Sequence, residues 1–142
     1  MVNIIGAGLA GLSAAITLAE KGISCNLVSN YPSERAQSVM AEGGINGALD
    51  TMGAGDNVEN HFADTMKAGG DIADEAAVRG LTNAAPEIIR YLGRLGVPFN
   101  LKDNLIQLRN FGGQKKKRTA YAKSSTGKVL MTALIDEVRK YE

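Results

Sequence analysis

Three glycines, Gly6, Gly8 and Gly11, stand in the spacing Gly-x-Gly-x-x-Gly directly after the β-branched run Val2-Asn3-Ile4-Ile5. The chemistry open to such a triplet is the holding of a diphosphate by bare main chain. Gly6 lets the chain turn sharply out of a strand. Gly8, without a Cβ, lets the backbone approach a pyrophosphate, and Gly11 lets the following helix pack close to the strand. Leu9 and Ala10 lie between them, where free backbone N–H groups and the positive end of the helix dipole would face the phosphates. In this setting the spacing predicts dinucleotide binding. The acid expected about 20 residues further on, for the adenosine ribose, is missing. Ser29 and Asn30 end the next apolar run instead, and the nearest acid is Glu34. That argues against an ordinary NAD dehydrogenase, and the lack of a basic pair there argues against NADP.

The other reactive groups are few. One cysteine, Cys25, excludes an internal disulfide, and one histidine, His61, excludes a His-rich metal centre, so no metal site is expected. Cys25 is expected to be a small buried residue in mid-strand, and His61 a packed structural histidine. Lys115-Lys116-Lys117-Arg118 is expected to be a solvated loop near a cofactor or substrate anion. Ser125-Thr126-Gly127-Lys128 imitates the end of a P-loop, but Ala122 takes the place of the upstream glycine and Val129 that of the hydroxyl, so it is set aside.

The elements that must position these groups follow from periodicity. Residues 2–5 read as a strand. A helix runs from Leu9 through Leu12, Ile16 and Ala19 to Glu20 and stops at Gly22, and residues 23–29 form a second strand. This divides the chain into a βαβ unit, residues 1–30, and a glycine-rich loop with helices, residues 31–142. Asp56 is expected to cap a helix with Glu59 three positions on, and Val58, Phe62 and Met66 to form its buried face before Gly69-Gly70 ends it. Residues 74–81 predict one helix. Pro86 predicts the start of another, carrying Ile88, Ile89, Leu92 and Leu95 to a stop at Gly96. Residues 105–108 predict one short strand. Thr126-Gly127 opens a last helix, with Leu130, Leu134 and Val138 in register.

Composition agrees with a single globular unit: 142 residues, 44% hydrophobic, net charge +1. So even a balance argues against a nucleic-acid partner. Val2 to Ala19 is apolar enough to suggest a membrane span, but it contains Asn3, Gly8, Ser13 and Thr17, and no basic residue precedes it. The expectation is a cytoplasmic chain with no direct membrane insertion. Only two parallel strands are evident. Such a sheet is marginal alone, so the chain is expected to be a piece of a larger protein, or to cover its open edge in a homo-oligomer.

The motifs Gly6-Ala7-Gly8-Leu9-Ala10-Gly11, residues 35–44, His61-Phe62-Ala63-Asp64-Thr65, Gly69-Gly70-Asp71, residues 93–98, Phe111-Gly112-Gly113, Arg118-Thr119-Ala120 and Thr126-Gly127 together resemble the flavoprotein subunits of fumarate reductase and succinate dehydrogenase, with L-aspartate oxidase a close relative. The resemblance implies an α/β fold: a Rossmann-like FAD-binding βαβ unit followed by mainly helical segments, incomplete without the rest of the parent flavoprotein. It implies FAD, with its pyrophosphate at residues 6–11 and its flavin near residues 37–44. The cofactor-binding residues so implied are Gly6, Gly8, Leu9, Ala10, Gly11, Ser29, Asn30, Arg35, Gln37, Ser38, Ala41, Glu42, Gly43 and Gly44. Phe111, Thr126 and Gly127 fall in segments near the substrate or flavin. Gln37 stands where respiratory members carry the histidine that bonds the flavin, which implies non-covalent FAD. In a full-length enzyme the resemblance implies hydride transfer between flavin and a dicarboxylate such as fumarate, with an iron–sulfur partner left open. The catalytic residues lie outside this chain, which is expected to be inactive alone. The alternatives are part of an L-aspartate oxidase, or a non-catalytic nucleotide-binding module.

Overall fold

A parallel βαβ unit opens the chain in the computed structural model, which describes residues 1–141. Strands β1 (Val2–Ile5) and β2 (Cys25–Val28) pair from Val2 opposite Cys25 to Ile5 opposite Val28, with helix α1 (Leu9–Glu20) between them. Gly22, at φ 68°, ends α1. Its N–H bonds the Ala19 carbonyl and that of Ile23 bonds the Leu18 carbonyl, a Schellman closure in which glycine takes the left-handed position.

The remaining elements are β3 (Ile45–Asn46), α2 (Val58–Gly69), α3 (Glu75–Arg94), β4 (Leu101–Lys102), β5 (Leu105–Ile106), β6 (Leu108–Arg109), β7 (Thr119–Ala120) and α4 (Thr126–Val138). Strands β3, β7 and β6 form an antiparallel sheet in that order, and β4 with β5 a separate hairpin. The core joins Leu12 and Ile16 of α1, Ile89 and Leu92 of α3, and Leu130, Met131, Leu134 and Ile135 of α4. The α/β class is as expected, and Ile5 and Val28 are left exposed on the two-stranded sheet. Among the described residues no helix is long and apolar enough to cross a membrane.

Five local expectations are corrected. Pro86 does not start a helix but lies inside α3, which runs unbroken for 20 residues. Its missing N–H leaves the Thr82 carbonyl without its helical partner, at roughly 3 kcal/mol. Burial of Ala85, Pro86, Ile89 and Leu92 on one face offsets this. The cap of α2 is Asn57, whose side chain accepts from the Asn60 N–H at 2.9 Å; Asp56 is engaged elsewhere. Val58, Phe62 and Met66 are only half-buried, while His61 and Asp64 form the buried face of α2. Residues 105–108 split between two sheets, because the Gln107 N–H turns to the Asn100 carbonyl. Cys25 is half-buried and begins β2 rather than centring it.

Candidate functional site

Parallel pairing sets the C-terminal ends of β1 and β2 side by side, the place where ligands meet open parallel sheets. The Gly6 N–H donates to the Val28 carbonyl at 2.8 Å, and Gly6 then leaves the strand at φ 108°, a conformation that suits glycine alone. An added Cβ on Gly11 would collide with the Gly6 carbonyl oxygen, so α1 can sit this tightly on the turn only with glycine there. Gly8 precedes α1 in extended conformation, no side chain caps the helix, and no acid lies in its first turn. The first helical bond is Leu12 N–H to the Gly8 carbonyl at 3.0 Å. The Leu9 N–H reaches only the Ser38 hydroxyl, at a long 3.4 Å. Among the described residues the Ala10 and Gly11 N–H groups have no protein partner. Open amides, the positive dipole end and no competing carboxylate make an anion site. Ser29 and Asn30 lie exposed beyond the end of β2.

The loop after β2 folds back over this corner in two tight turns, Ser33–Arg35 and Gln37–Met40. It brings Ser38 and Ala36 to Gly8, where an added Cβ would lie 3.3 Å from the Ser38 hydroxyl oxygen and 4.0 Å from the Ala36 Cβ. Arg35, Gln37, Ala41, Glu42 and Gly44 are exposed along the loop. Gly43 is half-buried under the ring of Phe111, whose Cζ would lie 3.0 Å from a Cβ there, and Phe111 itself is 55% exposed. Gly44 turns at φ 111° onto β7, where a Cβ would stand 2.5 Å from the Ala120 carbonyl oxygen. The close approaches of Gly8 to Ser38 and of Gly43 to Phe111 bring together segments far apart in the chain. Bare backbone at the start of α1 suits a diphosphate, whereas the close approach at Gly43 and Gly44 is taken by the Phe111 ring and the Ala120 carbonyl.

Thr126 and Gly127 sit behind the loop and are buried. The Thr126 hydroxyl accepts from the Ala122 N–H at 3.1 Å, and the Gly127 N–H donates to the Ala41 carbonyl at 2.6 Å. An added Cβ on Gly127 would collide with the Ser38 carbonyl oxygen and lie 2.7 Å from that of Ala41. Gly127→Ala is therefore expected to lift the loop off α4 and lower stability by about 1–3 kcal/mol, the usual effect of overpacking. A fall in the urea midpoint with the slope unchanged would register it.

One cluster was only partly signalled in the sequence. Arg118 belongs to the lysine run, yet it is only 1% exposed, against the expectation of a solvated loop. Its Nε and Nη2 donate to the two carboxylate oxygens of Asp56, both at 2.9 Å, and Nη2 also meets Asp64 at 3.0 Å. His61, 4% exposed, lies on the same face of α2 as Asp64, and its Nδ1 has no partner among the described residues. The His61–Asp64 spacing of three on one helix face was a visible hint; the distant partner was not. The Arg118 carbonyl accepts from the Gly47 N–H at 2.9 Å, and the Thr119 hydroxyl bonds the Asn46 side chain at 2.6 Å. The cluster thus anchors β7 and, through it, the strand that follows the glycine loop.

Burial chiefly, with Arg118 adding to it, holds the His61 imidazole below its ordinary value. Burial pushes the Asp64 carboxyl up, but the Lys115 N–H at 3.3 Å and the Arg118 charge outweigh that and hold it low. Both shifts act in one direction, because the unfolded chain binds more protons than the folded one. Stability is expected to fall as pH drops through 6.5, where unfolded His61 protonates, and again below 3.8, where unfolded Asp64 does. Urea midpoints at pH 7 and pH 5 test the first step, and His61→Gln should abolish it.

A family model described as FAD binding domain matches residues 2–142. The succinate dehydrogenase flavoprotein subunit of Bacillus subtilis is 46% identical over 142 residues, covering 99% of this chain and 24% of its own. The L-aspartate oxidase of Neisseria meningitidis serogroup B is 36% identical over 139 residues, covering 98% of this chain and 27% of its own. Among solved structures, the E. coli quinol fumarate reductase superposes with a TM-score of 0.91 at 32% identity, over 99% of this chain and 24% of the other. The chain spans about a quarter of the length of the curated relatives it matches.

Proposed function

Because this chain belongs to the FAD binding domain family, with succinate dehydrogenase and fumarate reductase flavoproteins among its relatives, we propose that it holds the diphosphate and lines the flavin in a dicarboxylate oxidoreductase. The observation that carries the reading is the uncapped start of α1, with Gly8 facing the turn that bears Ser38. The amides of Leu9, Ala10 and Gly11 take the diphosphate between the Gly6 and Gly8 turns, and Ser29 and Asn30 take ribose hydroxyls. Arg35, Gln37, Ser38, Ala41, Glu42, Gly43 and Gly44 line the flavin. Phe111 stands at the substrate end, and Thr126 and Gly127 brace the loop from behind. Gln37 offers no imidazole for a covalent link, so FAD is held by contacts alone. When bound, FAD supplies the two-electron exchange with an unsaturated dicarboxylate such as fumarate. Two relatives carry the names of an oxidoreductase flavoprotein subunit and a reductase, so a further redox subunit belongs to this proposal, the iron–sulfur type being one form of it. A free Cys25 suits a reducing, cytoplasmic setting.

Equilibrium dialysis of the purified chain tests the reading. FAD should be retained, giving a yellow protein, and ADP should compete for it. A chain that takes up neither overturns the proposal. The chain alone is expected to show no fumarate reduction with a reduced viologen. The aspartate oxidase relative favours a second reading for the whole protein, turnover of aspartate with oxygen in place of fumarate; assaying both substrates separates the two.

A further inference from the structure

One nitrogen of Arg109, Nη2, donates to two successive carbonyls of the glycine loop: that of Glu42 at 3.0 Å and that of Gly43 at 2.6 Å. Arg109 lies on β6, opposite Thr119 of β7, which in turn lies opposite Asn46 of β3. The side chain therefore reaches across the middle strand, roughly 10 Å at two strand spacings. It lies over the ring of Tyr121, with the guanidinium carbon 4.4 Å from the ring centroid. A planar cation on an aromatic face is well held, and arginine keeps its charge at any working pH.

The consequence lies on the other side of the loop. Among the described residues no peptide bond is cis, so in each unit the N–H points opposite the C=O. Pinning the Glu42 and Gly43 carbonyls to one atom turns the N–H groups of Gly43 and Gly44 away from Arg109. Among the described residues neither N–H has a protein partner. Successive amides aimed to one side form a concave donor pair of the kind that binds electron-rich groups. The cation behind them polarises both peptides and strengthens both donors.

We propose that Arg109 is a positioning residue for the flavin, acting through Gly43 and Gly44, with Tyr121 as its platform. It holds two adjacent amides outward as paired donors for a ring nitrogen and the neighbouring ring carbonyl. This rests on the FAD reading above. Charge placed against an acceptor edge stabilises the ring more when it is electron-rich, so Arg109 supports the reduced form.

The test uses the full-length, FAD-loaded protein and reads three things: FAD affinity, the visible flavin spectrum and the flavin midpoint potential. Arg109→Gln should raise the FAD dissociation constant about tenfold, the size expected for losing charged hydrogen bonds, and lower the midpoint potential. Arg109→Lys, which keeps the charge, should fall between Gln and wild type. Tyr121→Leu should shift the same readouts less, and it carries the test if Arg109→Gln does not fold. Unchanged potential and spectrum in these variants, even with lower stability, would mean a merely structural arginine and overturn the inference. Gly43→Ala separates the two levels. If it shifts the spectrum while the Arg109 and Tyr121 variants do not, only this inference fails. If it too changes nothing, the flavin lies elsewhere and the FAD reading of the loop falls with it.

Discussion

Arg118→Ala is expected to lower the stability of the folded chain by about 3–5 kcal/mol, the range for removing one partner of a buried ion pair. The side chains of Arg118, Asp56 and Asp64 are 1%, 0% and 8% exposed. Without the guanidinium, buried Asp56 loses its ion-pair partner, and Asp64 keeps as cation only the Lys115 ammonium, at 3.9 Å. Hydrating the two carboxylates requires the structure to open. A domain of this size holds only about 5–15 kcal/mol in all, so one substitution takes a large part of it. The contrast is Arg139→Ala. Its pair with Glu34 at 3.2 Å is more than half exposed on both sides, and its loss should change stability by less than about 1 kcal/mol. Urea unfolding of both variants measures the difference. Equal small effects would show the buried cluster to be relaxed by water.

Gly8→Val is expected to abolish FAD binding while leaving the apo fold intact. Gly8 has φ −85° and ψ −169°, extended backbone that valine adopts readily. Its Cβ would meet the Ser38 hydroxyl oxygen at 3.3 Å, so a small shift of one side chain admits it. The branched methyls, however, add bulk at the start of α1, where the diphosphate would approach the main chain. An affinity loss of at least about a hundredfold follows from closing that approach. Circular dichroism should match wild type, and dialysis against FAD should leave the variant colourless. Retained FAD affinity would place the diphosphate elsewhere.

What the sequence made legible was mostly local. The Gly22 and Gly96 stops are the same closure: Gly96, at φ 93°, bonds the Gly93 carbonyl and Val97 bonds that of Leu92. Glycine after an apolar helical stripe signals this without any tertiary knowledge. The first strand, α1 and its glycine turn were readable for the same reason. Pro86 misled because its penalty is local while the offsetting burial of Ile89 and Leu92 is not. Arg118 misled because its neighbours in sequence are three lysines, whereas its partners lie 62 and 54 positions away. Gly127 backs the 38–41 turn, a contact the sequence did not reveal because it depends on how α4 docks.

The docking of α4 has a mechanical corollary. Helix α1 presents the anion-facing amides at its tip, α4 grips the glycine loop through Gly127, and the two helices share one core. The proposed phosphate and ring sites would therefore sit on a common frame, like the arms of a calliper. On the proposed reading riboflavin would engage one arm and ADP the other, and a ligand that joins the two at the matching span would gain from both without adding a single contact. A frame held by one shared core would make the span itself a criterion of selection.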